Sequence, residues 1–233
     1  PLRKTAALMF DVHGVKISHQ TVSNYCNAVA PRIKPFIDNF KYELSDSFCG
    51  DETYIKVKGK WHYIFFFFDS VKKIILSYRV RKHRDYQSAI LAINDVLVKL
   101  KEIPEKLNLI TDGNPIYLLA QQWFAQHGIH FDITQVIGLT NDDEVSKEFR
   151  PLKQIIERLN RTFKGNYKPT GGFGAEFGAI SSVVLFVAYF NFLRPHAKLD
   201  NNVPVLIPEL NELPNMPAKW LMLIKLSEDY IKS

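Results

Sequence analysis

The stretch WHYIFFFFDSV, residues 61–71, restricts this chain more than any other. A strand with one wet face alternates polar and apolar residues, and this one hardly alternates. A near-continuous apolar run bounded by turn residues reads as a strand buried on both faces. The preceding segment, SFCGDETYIKV, does alternate, KGK between them reads as a tight turn, and KKIILSYRV reads as a third strand. A sheet covered on both sides needs helices, and the rest of the chain supplies them. RDYQSAILAINDVLVKL has apolar residues at helical spacing, and KLNLITD is a short buried-type strand ending at Asp112. NPIYLLAQQWFAQHG is a second helix and IHFDITQVI a fifth strand. A polar stretch, a basic helix around Glu157, a turn marked by Gly171, Gly172, Gly174 and Gly178, and the apolar helix AISSVVLFVAYFNFL follow. The predicted class is α/β: three antiparallel strands, then alternating helices and strands, with helices on the faces of the sheet.

Residues 3–29 read as two short helices around Gly14, the second opened by Ser18 as N-cap and stopping before Pro31. Two readings are open. In a helix-turn-helix the second helix would turn His19, Gln20, Ser23 and Asn24 toward bases; in an ordinary helical hairpin it would pack on the main domain. Residues 31–46, with two prolines, read as a linker, and the tail MPAKWLMLIKLSEDYIKS as an amphipathic helix. The expected organisation is a two-helix segment at 1–30, a linker at 31–46, an α/β core at 47–200 and a helical tail at 201–233. The chain opens at Pro1 rather than Met, which fits an N-terminally truncated first segment.

An apolar content of 46% is ample for a core, so global disorder is excluded. Cys26 and Cys49 are too few for a disulfide framework and lack metal-ligand spacing. No run was expected to cross a bilayer, the stretch Tyr63–Phe68 being far too short. A cytoplasmic, membrane-free setting is therefore expected.

Three acids sit where chemistry is done. Asp51 lies in the first strand after Gly50, Asp112 ends the fourth strand, and Glu157 lies on the late helix. If the first and fourth strands are neighbours, the two aspartates meet at one sheet edge, and a helix beside it adds the glutamate. Converging carboxylates repel unless cations lie between them. All-oxygen sites of this kind suit Mg²⁺ or Mn²⁺, and two such ions about 4 Å apart serve in-line phosphoryl transfer. For Asp112, in Thr-Asp-Gly-Asn, a plain turn role is the competing reading.

The charge around Glu157 is lopsided. Residues Arg150, Lys153, Glu157, Arg161 and Lys164 follow one another at spacings of three and four and share one helix face, with no second acid among them. Such a face suits a phosphate backbone. Lys56, Lys58 and Lys60 alternate on the first hairpin and share a strand face, either as a further DNA contact or as protection of a sheet edge.

GDETYIKVKGKW at 50–61, LITDGNPIY at 109–117, IIERLNRTFK at 155–164 and YFNFLRPHAKL at 189–199, in that order, resemble the DDE transposases of prokaryotic insertion sequences. These belong to the retroviral-integrase superfamily. The resemblance covers nearly the whole chain and is weakest after residue 200. It implies a ribonuclease-H-like mixed five-stranded sheet, preceded by a small helical DNA-binding segment. It further implies that Asp51, Asp112 and Glu157 hold two divalent ions, Mg²⁺ or Mn²⁺, and that Lys164 contacts DNA near the scissile phosphate. Arg194 and His196 fall in a block with a structural role and a DNA contact, and Trp61 matches the aromatic that closes the first hairpin. The implied activity is metal-dependent cleavage at transposon ends and transfer of the freed 3′-OH into target DNA. The implied partners are double-stranded DNA, as terminal inverted repeats and target, and a second copy of the chain, in a nucleoid-associated setting. An inactive DNA-binding regulator and a nuclease without joining activity are the alternatives. One departure stands out: 44 residues separate Asp112 from Glu157, a longer interval than usual, and Glu148 falls nearer the usual distance. Glu148 lacks the ERLNRTFK context, so Glu157 is preferred, with GLTNDDEVSKEF read as the loop carrying the extra length.

Overall fold

The structure, a computed structural model, describes residues 2–104, 106–137 and 144–232, without the side chains of Val145 and Ser146. The chain divides into two compact units, one of residues 41–55 and 61–163, the other of residues 1–40, 56–60 and 164–233.

The first unit is built on a sheet. β1 (Ser47–Val57), β2 (Lys60–Asp69) and β3 (Ile74–Arg81) are consecutive, and β4 (Asn108–Thr111) and β5 (Asp132–Gln135) follow helices α3 (Tyr86–Leu97) and α4 (Pro115–Gln126). The strand order is β3-β2-β1-β4-β5. β2 and β3 are antiparallel, whereas β4 is parallel to both β1 and β5. Five mixed strands between helices are what the opening apolar run implied. Ile64, Phe65, Phe66 and Phe67 are all fully buried, so β2 is covered on both faces. The β1–β2 turn places both Lys58 (φ 50°) and Gly59 (φ 76°) in the left-handed region, the backbone a two-residue hairpin requires.

Polar side chains start the helices, satisfying amides that the first turn leaves open. Asp85 caps α3 by accepting from the Ser88 amide at 2.9 Å, and Asn114 caps α4 by accepting from Ile116 at 3.3 Å. α5 (Glu144–Tyr167) carries Ile156, Leu159 and Phe163 buried along one side, and Phe163 meets the Phe66 ring edge-on at 5.6 Å. The loop expected over residues 138–149 therefore gives way to helix from Glu144; residues 138–143 lie outside the described residues.

The second unit is helical. α1 (Leu2–His13) is followed by α2 (His19–Asn39), opened by Ser18, whose hydroxyl accepts from the Thr21 amide. α2 does not stop before Pro31; it continues through Pro31 and Pro35, so the expected linker is largely helix. The prolines are four residues apart and lie off the line of buried Ala30, Ile33 and Ile37, so packing offsets two lost backbone bonds. α6 (Glu176–Ala188) and α8 (Met216–Lys232) pack on α2, with a short α7 (Pro208–Asn211) against α8. Phe36, Phe40 and Phe192 form an aromatic cluster with centroids 5.3–5.8 Å apart.

One apolar run is longer than the stretch Tyr63–Phe68. Residues 176–193 form an 18-residue run of mean hydropathy 1.6, long and apolar enough by composition to cross a membrane. Within the helical unit 56% of that run is buried, as a core helix would be. Its last turn, Tyr189–Leu193, widens into a π-helix before Pro195, where the chain must leave helical geometry.

Candidate active site

The parallel ladder between β1 and β4 ends at the pair Cys49–Ile110. Two residues further along each strand stand Asp51 and Asp112, brought to one end of the sheet by equal overhang. Gly50 allows this approach: a Cβ there would lie 2.4 Å from the ring of buried Phe67. Asp51, Asp112 and the intervening surprise, Glu52, each present an oxygen within 4.8 Å of the others. Glu52 was not singled out from the sequence, because on a regular strand it faces away from Asp51. Past the end of β4 there is no ladder left to hold the two apart, and both flank Asp112.

Each acid is held differently. The Asp51 carboxylate accepts from the Asn160 side chain of α5 at 2.9 Å and from the Glu52 amide at 2.8 Å. Asp112 accepts from the Asn114 amide at 3.0 Å and from Arg84 at 3.5 Å. Oε1 of Glu52 accepts from Arg84 Nε at 2.6 Å and from the Asn114 side chain at 2.8 Å. Its Oε2 is buried, the buried Tyr117 hydroxyl is a hydrogen-bonding neighbour of Glu52, and the buried Asn160 Oδ1 has no donor among the described residues.

The electrostatics follow. Burial, then the charges of Glu52 and Asp112, push the Asp51 carboxyl up to about 7. Asp112 is raised too, by burial and by Glu52, with Asn114, Arg84 and Lys153 pulling the other way. Tyr117, beneath the cluster, keeps its proton well above the ordinary range through burial and the three nearby carboxylates. The hydrogen bond to Glu52 raises Arg84 further. Acceptors outnumber donors here, and every donor atom on offer to an ion is oxygen. A hard divalent cation resolves both features, so the residues fit Mg²⁺ or Mn²⁺.

Glu157 stands on α5, half-buried, one turn before Asn160, and is not among the three acids whose oxygens gather. Lys153, one turn before Glu157, donates to the Val136 carbonyl at 2.9 Å and so lies on the side of α5 turned to this unit. Residues 153, 157 and 160 share one helix face, whereas Glu148, nine residues before Glu157, points to the opposite side and is exposed. Of the basic residues predicted on this helix, Arg150 and Lys164 are half-buried and Arg161 is exposed. Lys56, Lys58 and Lys60 are all exposed, and near them Trp61 meets Tyr54 edge-on at 5.1 Å. In the helical unit His19, Gln20 and Asn24 are exposed and Ser23 is half-buried; Gln20 donates to Asn24 at 2.9 Å. Arg194 and His196 both pack on the Phe190 ring, at 5.4 and 4.6 Å.

A mixed five-stranded sheet in the order 3-2-1-4-5, with acids within its first strand and just past the end of its fourth, is an integrase-like, ribonuclease-H-like core. Residues 45–171 match the DDE domain of the IS240 transposase family. The chain belongs to this family of insertion-sequence transposases. Over 102 residues it is 31% identical to the transposase for the insertion sequence-like element IS431mec of Staphylococcus aureus, a match covering 44% of each chain. It is 30% identical over 83 residues to an uncharacterized protein of insertion element ISM1 from Methanobrevibacter smithii, covering 36% of this chain and 20% of that one. The chain thus matches less than half the length of these relatives. Among solved structures it is similar to the HTLV-2 integrase catalytic core in complex with magnesium, at 16% identity and a TM-score of 0.48. That likeness covers 69% of this chain and 95% of the other.

Proposed function

We propose that this protein is a DNA transposase that cleaves at transposon ends and joins the freed 3′-OH to target DNA, in two phosphoryl transfers without a covalent protein intermediate. The observation that carries the reading is the convergence of Asp51, within β1, and Asp112, just past the end of the parallel neighbour β4, with a further acid, Glu52, crowded against both. A purely structural acid cluster would be a cost with no return; a cluster awaiting cations is not.

Asp51, Asp112 and Glu157 are the residues that would hold Mg²⁺ or Mn²⁺, two ions per site. When bound, such ions activate the attacking oxygen and stabilise the leaving one. The chain's own part is position. Asn160 fixes the Asp51 carboxylate from α5, and Glu157, on the same face of that helix, is the proposed third ligand. Asn114 and Arg84 fix Asp112. Arg150, Lys153 and Arg161, on the helix of Glu157, are the proposed contacts for the phosphate backbone, with Lys164, Lys56, Lys58 and Lys60 as further proposed DNA contacts. His19, Gln20, Ser23 and Asn24 are the proposed base-reading residues of a helix-turn-helix, with Arg194 and His196 as further DNA contacts. Two DNA ends must be brought together, so the working form is a dimer or larger, acting on the nucleoid in the cytoplasm.

The test is joining of a labelled, pre-cleaved element end to plasmid DNA in Mg²⁺ or Mn²⁺. Joining by the wild type that is lost in Glu157→Gln and kept in Glu148→Gln supports the reading. Loss with Glu148→Gln alone would move the third acid, cutting without joining would make the protein a nuclease, and DNA binding without either would leave a regulator.

A further inference from the structure

We propose that Arg84 receives a DNA phosphate beside the acid cluster, and that Glu52 is the residue that positions it. The proposal rests on the transposase reading above and adds to it a DNA contact for Arg84 and a positioning role for Glu52.

Glu52 is the most enclosed acid of the three gathered ones, its side chain only 2% exposed. Its Oε1 is taken by two donors and its Oε2 has no accessible surface. Neither lone-pair set is turned outward to an ion that must also be reached by water and DNA. A carboxylate so placed serves as a fixed counter-charge, and what it fixes is Arg84, at 2.6 Å. The next residue, Asp85, caps α3, so the backbone behind Arg84 is anchored as well.

The contacts of the guanidinium are unequal. Its Nε grips Glu52, while its Nη2 only reaches Asp112 at 3.5 Å. Both use one edge of a planar group with five N–H donors. The end edge, Nη1 with the second hydrogen of Nη2, has no acceptor among the described residues, on a side chain that is 44% exposed. Two parallel N–H groups on a planar fork match two oxygens of a phosphodiester. Lys153, the other cation felt by these acids, is already engaged with the Val136 carbonyl. Arg84 is therefore the guanidinium that stands at the cluster with donors to spare, and Glu52 keeps it from closing fully onto Asp112.

The experiment measures binding of a duplex bearing the element's terminal sequence, by fluorescence anisotropy across a salt series in EDTA, alongside the rate of joining in Mn²⁺. Arg84→Gln should weaken binding several-fold and flatten the slope of log affinity against log salt by about 0.9, the loss of one phosphate contact. Arg84→Lys keeps the charge and should keep the slope, yet lose joining by about tenfold or more as the bidentate contact goes. It also serves as the folding control, with thermal melting as the readout. Glu52→Gln should share the Arg84→Lys pattern, and the double variant should be no worse than either single one, because both break the same link. An unchanged salt slope in folded Arg84→Gln would overturn the phosphate contact. Losses that multiply in the double variant would overturn the positioning role and make Glu52 an independent participant. A wild type that binds the duplex but joins nothing would sink the transposase reading instead, and the salt slope would still report on Arg84.

Discussion

Two acidic sites in the same sheet unit show what separates a structural carboxylate from a working one. Asp69, at the end of β2, is completely buried and surrounded by donors. It accepts from the Ser45 amide at 2.7 Å, the Ser45 hydroxyl at 2.8 Å, the Val71 amide at 3.0 Å and the Lys72 amide at 2.8 Å. Its charge is spent on ordering the β2–β3 turn. The cluster of Asp51, Glu52 and Asp112 has the opposite balance: three carboxylates stand together against one guanidinium. Burial alone does not mark a functional acid. A shortage of donors among mutually repelling acids does.

The largest expected effect separates the two sites by activity. Asp112→Asn should lower joining by at least about a hundredfold to a thousandfold, the scale of losing a main electrostatic element of a site. Asp69→Asn should leave the rate per folded molecule within a fewfold of wild type. Single-turnover joining rates, corrected for folded fraction, check both. Comparable activity losses in the two variants would break the contrast.

Stability should invert the order. Asp69→Ala strips the acceptor from three backbone amides and a hydroxyl and should cost about 3 kcal/mol, read by urea unfolding. Asp51→Asn should do the reverse in EDTA. Folding raises the Asp51 carboxyl from 3.8 to about 7, so the native state holds that proton more tightly than the unfolded chain. Wild-type stability therefore falls as pH rises from about 4 to about 7, and is free of this penalty below the unfolded value. At pH 8 the asparagine variant should be more stable by about 2 to 4 kcal/mol, at roughly 1.4 kcal/mol per unit, and the gain should vanish toward pH 4. An advantage that grew with acid would contradict the assignment. Smaller still is Gly50→Ala, whose methyl would drive into Phe67; it should cost about 1 to 3 kcal/mol and shift Asp51 with it.

The two sites also differ in how far they could be read from residues alone. Asp51 and Asp112 were legible because one lies in and the other ends a strand whose pattern is strong, and neighbouring strands bring such positions together. Glu52 was hidden by the strand's own period, which assigns it the other face; only the end of the β1–β4 ladder at Cys49–Ile110 undoes that rule. Arg84 was visible as one of many positive charges, but its partners lie 32 and 28 residues away and no local spacing connects them. Asn160 sat in plain sight within ERLNRTFK, where an amide between charged neighbours carries no periodic signal. In the helical unit, Pro31 and Pro35 suggested a stop that the buried line Ala30, Ile33 and Ile37 overrides.

The most direct test of the account is titration of Mn²⁺ into the metal-free protein, followed by calorimetry, for wild type, Asp112→Asn and Asp69→Asn. Saturable binding in wild type and in Asp69→Asn, abolished in Asp112→Asn, is the predicted result. Binding that survives unchanged in Asp112→Asn, or that is lost in folded Asp69→Asn, would contradict the claim that the acids gathered between β1 and the end of β4 form the cation site.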